Sequence, residues 1–225
     1  MIKLSRFLFL EDRNSDVLGS ITEFSSIKKT LLLNKFKFIG HGTTRDVYSI
    51  PGDELVVLKV PRYPDAFEVN LTEVKNFSCL GEEYAARIVD SDEVNGLWLK
   101  MERVNTFKHS DSFNHEVSKR LGFEFSKEGM IKKFGLAPDT IARFPLLFDA
   151  FAPGDYDKGI NLRELLCKNS EWFREFNSRL IDCDVYAEDL GFGNFGLRMN
   201  TGELVLLDYG FSASKDSTFG VQSKC

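Results

Sequence analysis

The chain has 225 residues, 43% of them hydrophobic, 21 phenylalanines and a formal net charge of −5. That length holds one domain or two small lobes with a proper core, and an acid excess without any Lys/Arg run excludes an electrostatic nucleic-acid surface. Cys79, Cys167, Cys183 and Cys225 are scattered without metal-ligand spacing and read as free thiols of a reducing cytoplasm, while His41, His109 and His115 form no zinc set.

The apolar run at the start, Met1 to Leu10, is broken by Glu11 and Asp12. It is too short and too acidic for a signal peptide, and no membrane span or internal repeat follows. Val17 to Leu33 is expected to form a helix that packs on what comes next. Phe36 to Tyr48 reads as strand, tight turn, strand, with Gly40 and Gly42 entering the turn and Thr43 and Thr44 offering hydroxyls. Glycines at such a turn let backbone N–H groups approach an anion without a Cβ in the way; an ordinary hairpin turn is the plainer alternative. After the turn Pro51-Gly52-Asp53 comes the apolar run Glu54 to Val60, with Lys59 inside it. A strand lysine of this kind either points to solvent from an edge or is buried with a partner.

Phe67, Leu71, Val74 and Phe77 recur at helical intervals, so Asp65 to Leu80 is expected to be an amphipathic helix. It offers Glu68 and Glu73 as partners for Lys59, Glu73 preferred. Asn70-Leu71-Thr72-Glu73 also fits an N-terminal capping pattern, in which Glu73 would only cap. Ala86 to Asp90, Val94-Asn95-Gly96 and Leu97 to Met101 read as a further hairpin. Phe113 to Leu121 and Ser126 to Phe134 look helical, with Gly135 suited to a C-terminal cap. Another segment opens at Pro138 and ends near Pro153-Gly154, and Asn161 to Ile181 reads as one long helix.

The strongest chemical signal is near the C-terminal end. Asp189 and Asn194 stand five positions apart, and Asp208 follows fourteen positions later with Gly210 behind it. Phosphoryl transfer from a nucleotide uses such groups: one carboxylate to orient an acceptor hydroxyl, an amide oxygen and a second carboxylate to hold magnesium. Phe195 to Met199 and Glu203 to Leu207 read as the arms of a hairpin turning at Asn200-Thr201-Gly202. Such a hairpin returns Asp208 to the neighbourhood of Asn194.

Taken in order, these motifs resemble the protein-kinase-like superfamily. Gly40 and Gly42 match the first two glycines of a Gly-rich loop, with Arg45 in place of the third; Val47 matches the valine that packs on adenine. Lys59 is similar to the lysine of Val-Ala-Ile-Lys, Asp189 to Asn194 to the catalytic loop, and Asp208-Tyr209-Gly210 to the Asp-Phe-Gly motif. The resemblance implies an α+β, two-lobed fold: a helical extension over 1–34, an N-lobe antiparallel sheet plus one helix over 35–101, and a reduced helical C-lobe over 102–225. It implies ATP and Mg2+, with Asp189, Lys59 and Glu73 catalytic, and with Asn194 and Asp208 on the metal. Gly40, Gly42, Thr43, Val47, Lys59 and the hinge Met101, Glu102 and Arg103 would bind the nucleotide. The implied activity is that of a minimal Ser/Thr protein kinase in the cytoplasm, with a protein substrate and without nucleic-acid or membrane partners. A small-molecule kinase of aminoglycoside-kinase type and a catalytically silent kinase-like module are the alternatives.

Three departures bear on that choice. Ala187 and Glu188 stand where kinases commonly have His-Arg, which implies activity independent of activation-loop phosphorylation. Gly191 stands where a lysine is usual, with a backbone N–H there or a cation such as Arg198 as substitutes. Only Phe211 to Cys225 follow Gly210, so the chain resembles short kinases of phages or bacterial effectors.

Overall fold

A computed structural model describes residues 14–136, 162–185 and 190–210. Two compact units emerge, one built from Met1–Ser78 and Ala86–Val104, the other from Cys79–Ala85 and Asn105–Cys225. The fold class is α+β.

The first unit is a five-stranded antiparallel sheet. Strands β1 (Lys37–His41), β2 (Arg45–Ile50), β3 (Asp53–Pro61), β4 (Ile88–Ser91) and β5 (Leu99–Glu102) lie in the order β1-β2-β3-β5-β4. Strand side chains alternate between faces, and the apolar set on β3 and β2 uses that alternation. Leu58, Val60 and Ile50 are buried with Leu18, Ile21, Ile27, Leu31, Phe36, Leu97 and Trp98 in one cluster. The residue between Leu58 and Val60, Lys59, therefore takes the other face.

The helical side of that cluster comes from helix α1 (residues 14–19) and α2 (Ile27–Leu33). The sequence suggested one helix over Val17 to Leu33; the chain breaks it between them. Ser20 and Ser26 turn their hydroxyls back onto the carbonyls of Val17 and Glu23, at 2.6 and 2.8 Å, the local competition that makes serine a poor helix interior. Helix α3 (Phe67–Leu80) follows a 3-10 turn over Pro64–Ala66. The β4–β5 connection needs its glycine: Gly96 has φ +65°, and a Cβ there would lie 2.4 Å from the Phe67 carbonyl oxygen.

The second unit holds α4 (Ser110–Leu121), α5 (Lys127–Phe134), α6 (Leu162–Asn169) and α7 (Glu171–Asp182), with a three-stranded sheet in the order β6-β7-β8. Its strands are β6 (Val104–Thr106), β7 (Phe195–Arg198) and β8 (Leu204–Leu206). Helix α5 begins on Ser126, whose hydroxyl accepts from the Gly129 N–H at 3.0 Å, and ends on Gly135 in the left-handed conformation. The single helix expected over Asn161 to Ile181 is two helices. Ser170 interrupts it, because its hydroxyl accepts from the Phe173 N–H at 3.2 Å and starts α7. Phe195 anchors the core, with Phe113 of α4 and Phe176 of α7 at ring separations of 5.0 and 6.2 Å. Each fully buried ring of this kind contributes roughly 1.5–3 kcal/mol.

The free-thiol expectation is corrected. Cys79, in the last turn of α3, is disulfide-bonded to Cys183, the C-cap of α7, with Cα atoms 5.5 Å apart. Cys167 is disulfide-bonded too, and no described cysteine is free. Spacing in sequence reported only that no metal set existed; it carried nothing about which thiols meet. The cytoplasmic expectation loses the support it drew from free thiols, since disulfides persist in oxidising surroundings. Among the described residues no helix is long and apolar enough to cross a membrane.

Candidate functional site

In the first unit the site is built from one row of the sheet. Gly40 of β1 pairs with Val47 of β2, and Val47 with Lys59 of β3. Cross-strand partners share a face, so Val47 and Lys59 point the same way, opposite to the apolar cluster. Arg45, two residues before Val47, shares that face.

Glu73 of α3 meets this face. It is completely buried, and its Oε1 accepts from the Lys59 Nζ at 2.9 Å. The helix starts at Phe67, so Glu73 lies well inside it and does not cap. Asn70, the other half of the capping alternative, instead donates its side-chain amide to the Gly96 carbonyl at 2.8 Å. Glu68 is solvent-exposed. A buried carboxylate needs a cation and a buried lysine needs an anion, and these two satisfy each other.

The β1–β2 turn is short, closed by the Gly42 N–H donating to the Arg45 carbonyl at 2.8 Å. Arg62 holds its outer side: its Nη1 donates to the Gly42 carbonyl at 2.8 Å and its backbone N–H to the Thr44 carbonyl at 2.9 Å. The same guanidinium pairs with Asp46, which also takes Lys28, both at 3.3 Å. Burial, and after it the Asp46 charge, pushes the Tyr48 hydroxyl above its usual range. Neither Gly40 nor Gly42 is in the left-handed region. A Cβ at Gly40 would meet nothing within 4 Å, and one at Gly42 only the Arg45 carbonyl at 4.0 Å. Neither backbone conformation nor packing requires glycine here; what the two positions leave is open backbone, which fits phosphate approach. Thr43 is exposed at the tip and Thr44 is buried.

At the expected hinge, Met101 is buried inside β5, between Val57 and Ile88. The Glu102 N–H donates to the Arg87 carbonyl at 2.8 Å and the Arg103 N–H to the Leu55 carbonyl at 2.6 Å. Both donors are committed inside the unit, so a base read at this stretch would have to use carbonyl oxygens.

In the second unit β7 and β8 pair antiparallel, Phe195 with Leu206 and Leu197 with Leu204, around a turn in which Gly202 has φ +72°. The Leu207 N–H donates to the Asn194 carbonyl at 2.8 Å. Asp208, the next residue, is thereby brought beside Asn194, and both are half-buried. An amide oxygen and a carboxylate are hard donors that suit magnesium, which keeps its remaining positions for water and phosphate. Among the described residues no group of three or more His, Cys, Asp or Glu gathers as a metal site. Tyr209 and Gly210, which follow Asp208, are buried. Asp189, with Ala187 and Glu188 before it, lies outside the described residues, as does the segment from Pro138 to Gly159.

Arg198 does not supply the missing cation. Its guanidinium donates to the carbonyls of Glu82 and, at 2.9 Å, Ala85, and its Nε lies 3.4 Å from Glu203. It fastens the 79–85 segment to the hairpin, where Leu206 also bonds to Tyr84.

Sequence reasoning missed two residues. Arg62 gave no signal, and Arg45 registered only as a lost glycine; its guanidinium pairs with Glu73. The alternation Arg45, Val47 across from Lys59 contained that information once the register was known.

No protein-family model and no curated protein matches the chain. Among solved structures it is similar to a variant aminoglycoside 2'-phosphotransferase in complex with GDP, at 13% identity over 84% of this chain and 72% of that one, with a TM-score of 0.41.

Proposed function

We propose that the chain is a kinase-like, ATP-dependent phosphotransferase that acts on Ser/Thr hydroxyls of a protein. The observation that supports this most is the Lys59–Glu73 pair: a buried ammonium held at 2.9 Å on the sheet face that carries Val47, in line with the open Gly40 position. A lysine so confined meets an anion without first losing side-chain freedom. In this reading Lys59 contacts the nucleotide phosphates, Thr43 at the exposed tip of the turn donates to them across the open Gly40 and Gly42 backbone, and Val47 lies against the base. Asn194 and Asp208 would hold magnesium, which when bound neutralises phosphate charge. Asp189 would accept the proton of the acceptor hydroxyl as that oxygen bonds to the terminal phosphorus and the bond to ADP breaks.

Gly191 and Glu188, which remove the lysine and arginine usual beside that aspartate in protein kinases, favour a small-molecule acceptor as the second reading. Incubation with labelled ATP and magnesium, wild type against Asp189→Ala and Asp208→Ala, tests the first. Label on protein that disappears in both variants supports it; label only on added small alcohols or aminoglycosides moves the assignment to the second. A folded wild type that transfers nothing and gains no stability from Mg–ATP, where about 2.7 kcal/mol is due at about 100 times Kd, fits a silent module and ends both.

A further inference from the structure

The Glu73 carboxylate is gripped from two strands at once. Its Oε1 takes the Lys59 ammonium from β3 at 2.9 Å, and its Oε2 takes the Arg45 guanidinium from β2. All three side chains are at least nine-tenths buried, at 3%, 0% and 10% exposure for Arg45, Glu73 and Lys59. The two cations differ in what they can do. An ammonium is a point charge on a flexible stem, and one such contact leaves a carboxylate able to rotate about its last bond. A guanidinium is a planar fork with fixed donor directions. A second cation on the other oxygen, here through the Arg45 Nη1, limits that rotation and hence where Oε1, and the ammonium bound to it, must sit.

From this we propose that Arg45 is a positioning residue for nucleotide binding. It locks Glu73 so that the Lys59–Glu73 pair stays assembled without phosphorylation of the chain or a protein partner. The inference rests on the reading above, in which Lys59 receives phosphates. Arg45 itself is too buried to serve as a second phosphate ligand at the turn: the exposed residues there are Gly42 and Thr43, while Arg45 turns inward to α3. At the position where the resemblance expects a glycine, this arginine serves as a strut under the lysine.

The experiment is calorimetric titration of the unphosphorylated full chain with Mg–ATP, comparing wild type, Arg45→Met, Arg45→Lys, Glu73→Gln and the double variant Arg45→Met/Glu73→Gln. Melting curves certify that each is folded. Arg45→Met is expected to weaken binding about tenfold, equivalent to about 1.4 kcal/mol. Arg45→Lys, which keeps the charge and loses the fork, should fall between it and wild type, and serves alone if the methionine variant does not fold. The deciding comparison is the double variant. Because Arg45 acts through Glu73, adding Arg45→Met to Glu73→Gln should change affinity less than about twofold, the non-additivity of residues in one network. Affinity unchanged in Arg45→Met overturns the inference while leaving the phosphotransferase reading standing. Losses that multiply in the double variant overturn it too, since Arg45 would then act on the nucleotide independently of Glu73. A wild type that binds no Mg–ATP removes the reading itself, a result separable from the other two.

Discussion

Removing the Cys79–Cys183 bridge should cost the protein a large share of its stability. The two cysteines are 104 positions apart. In the chain-entropy description, a cross-link over about 100 residues withholds about 4.7 kcal/mol of freedom from the unfolded chain at 25 °C. Domains of this size are stable by only about 5–15 kcal/mol in total, so most measured losses of 3 kcal/mol or more would be visible as a shift of the whole transition. The assay is urea unfolding of Cys79→Ala, Cys183→Ala and the double variant beside the oxidised wild type. Two features identify the cross-link as the cause. The single variants and the double should lose similar amounts, because each breaks the same bond. The urea dependence should steepen in all three, because an unfolded chain released from a long loop exposes more surface. Losses under about 1 kcal/mol that add between the two sites would refute the entropic account. Alkylation of Cys79 in the native wild type without reductant would refute the bridge itself and restore the free-thiol reading.

Three other perturbations have expected outcomes. Glu73→Gln should destabilise more than Lys59→Met, because it withdraws the carboxylate that both Arg45 and Lys59 contact, and breaking a buried ion pair costs about 3–5 kcal/mol, whereas Lys59→Met leaves Glu73 still paired with Arg45; chemical denaturation of both ranks them. Gly96→Ala should cost well beyond the roughly 1–2 kcal/mol of a left-handed non-glycine residue, since its Cβ meets the Phe67 carbonyl at 2.4 Å, while Gly202→Ala, at a similar φ but with open space, should cost only the conformational part. Partial burial raises the Glu116 pKa, but the hydrogen bond and charge of Lys119, followed by those of Arg120, outweigh it and set the carboxyl below its ordinary value. A depressed folded pKa gives stability that is present above the unfolded value and lost as pH falls through the folded one, so Glu116→Gln should flatten the acid limb of the stability–pH profile between those two values, with its loss relative to wild type greatest at neutral pH and vanishing below the folded value.

Elements with a strong local signal were legible: the apolar run around Lys59, the helical recurrence from Phe67, the Ser126 and Gly135 ends of α5, the turn at Asn200 to Gly202. In each, propensity, periodicity and turn chemistry agree. What was not legible depended on competition or on distance. Ser20, Ser26 and Ser170 compete with the backbone for hydrogen bonds, and a periodicity count does not weigh that competition, so helices of apparent length were overrun. Arg198 looked like spare charge because a guanidinium buried against the carbonyls of Glu82 and Ala85 has the same sequence signature as one in solvent. The Cys79–Cys183 pairing joins residues 104 positions apart and has no local trace at all.

Arg45 shows why a motif departure and a motif loss must be told apart. Compared position by position, it is a missing glycine and counts against phosphate binding. Placed in the sheet, it alternates with Val47, which pairs with Lys59, and its guanidinium goes to the carboxylate that holds that lysine. A glycine contributes to such a turn by being absent from a volume; an arginine there has a chain long enough to leave the turn and act elsewhere. The remaining open positions, Gly40 and Gly42, still leave the backbone uncovered. In the proposed reading, approach at the turn and rigidity under the lysine are separate requirements, assigned to different residues of one hairpin.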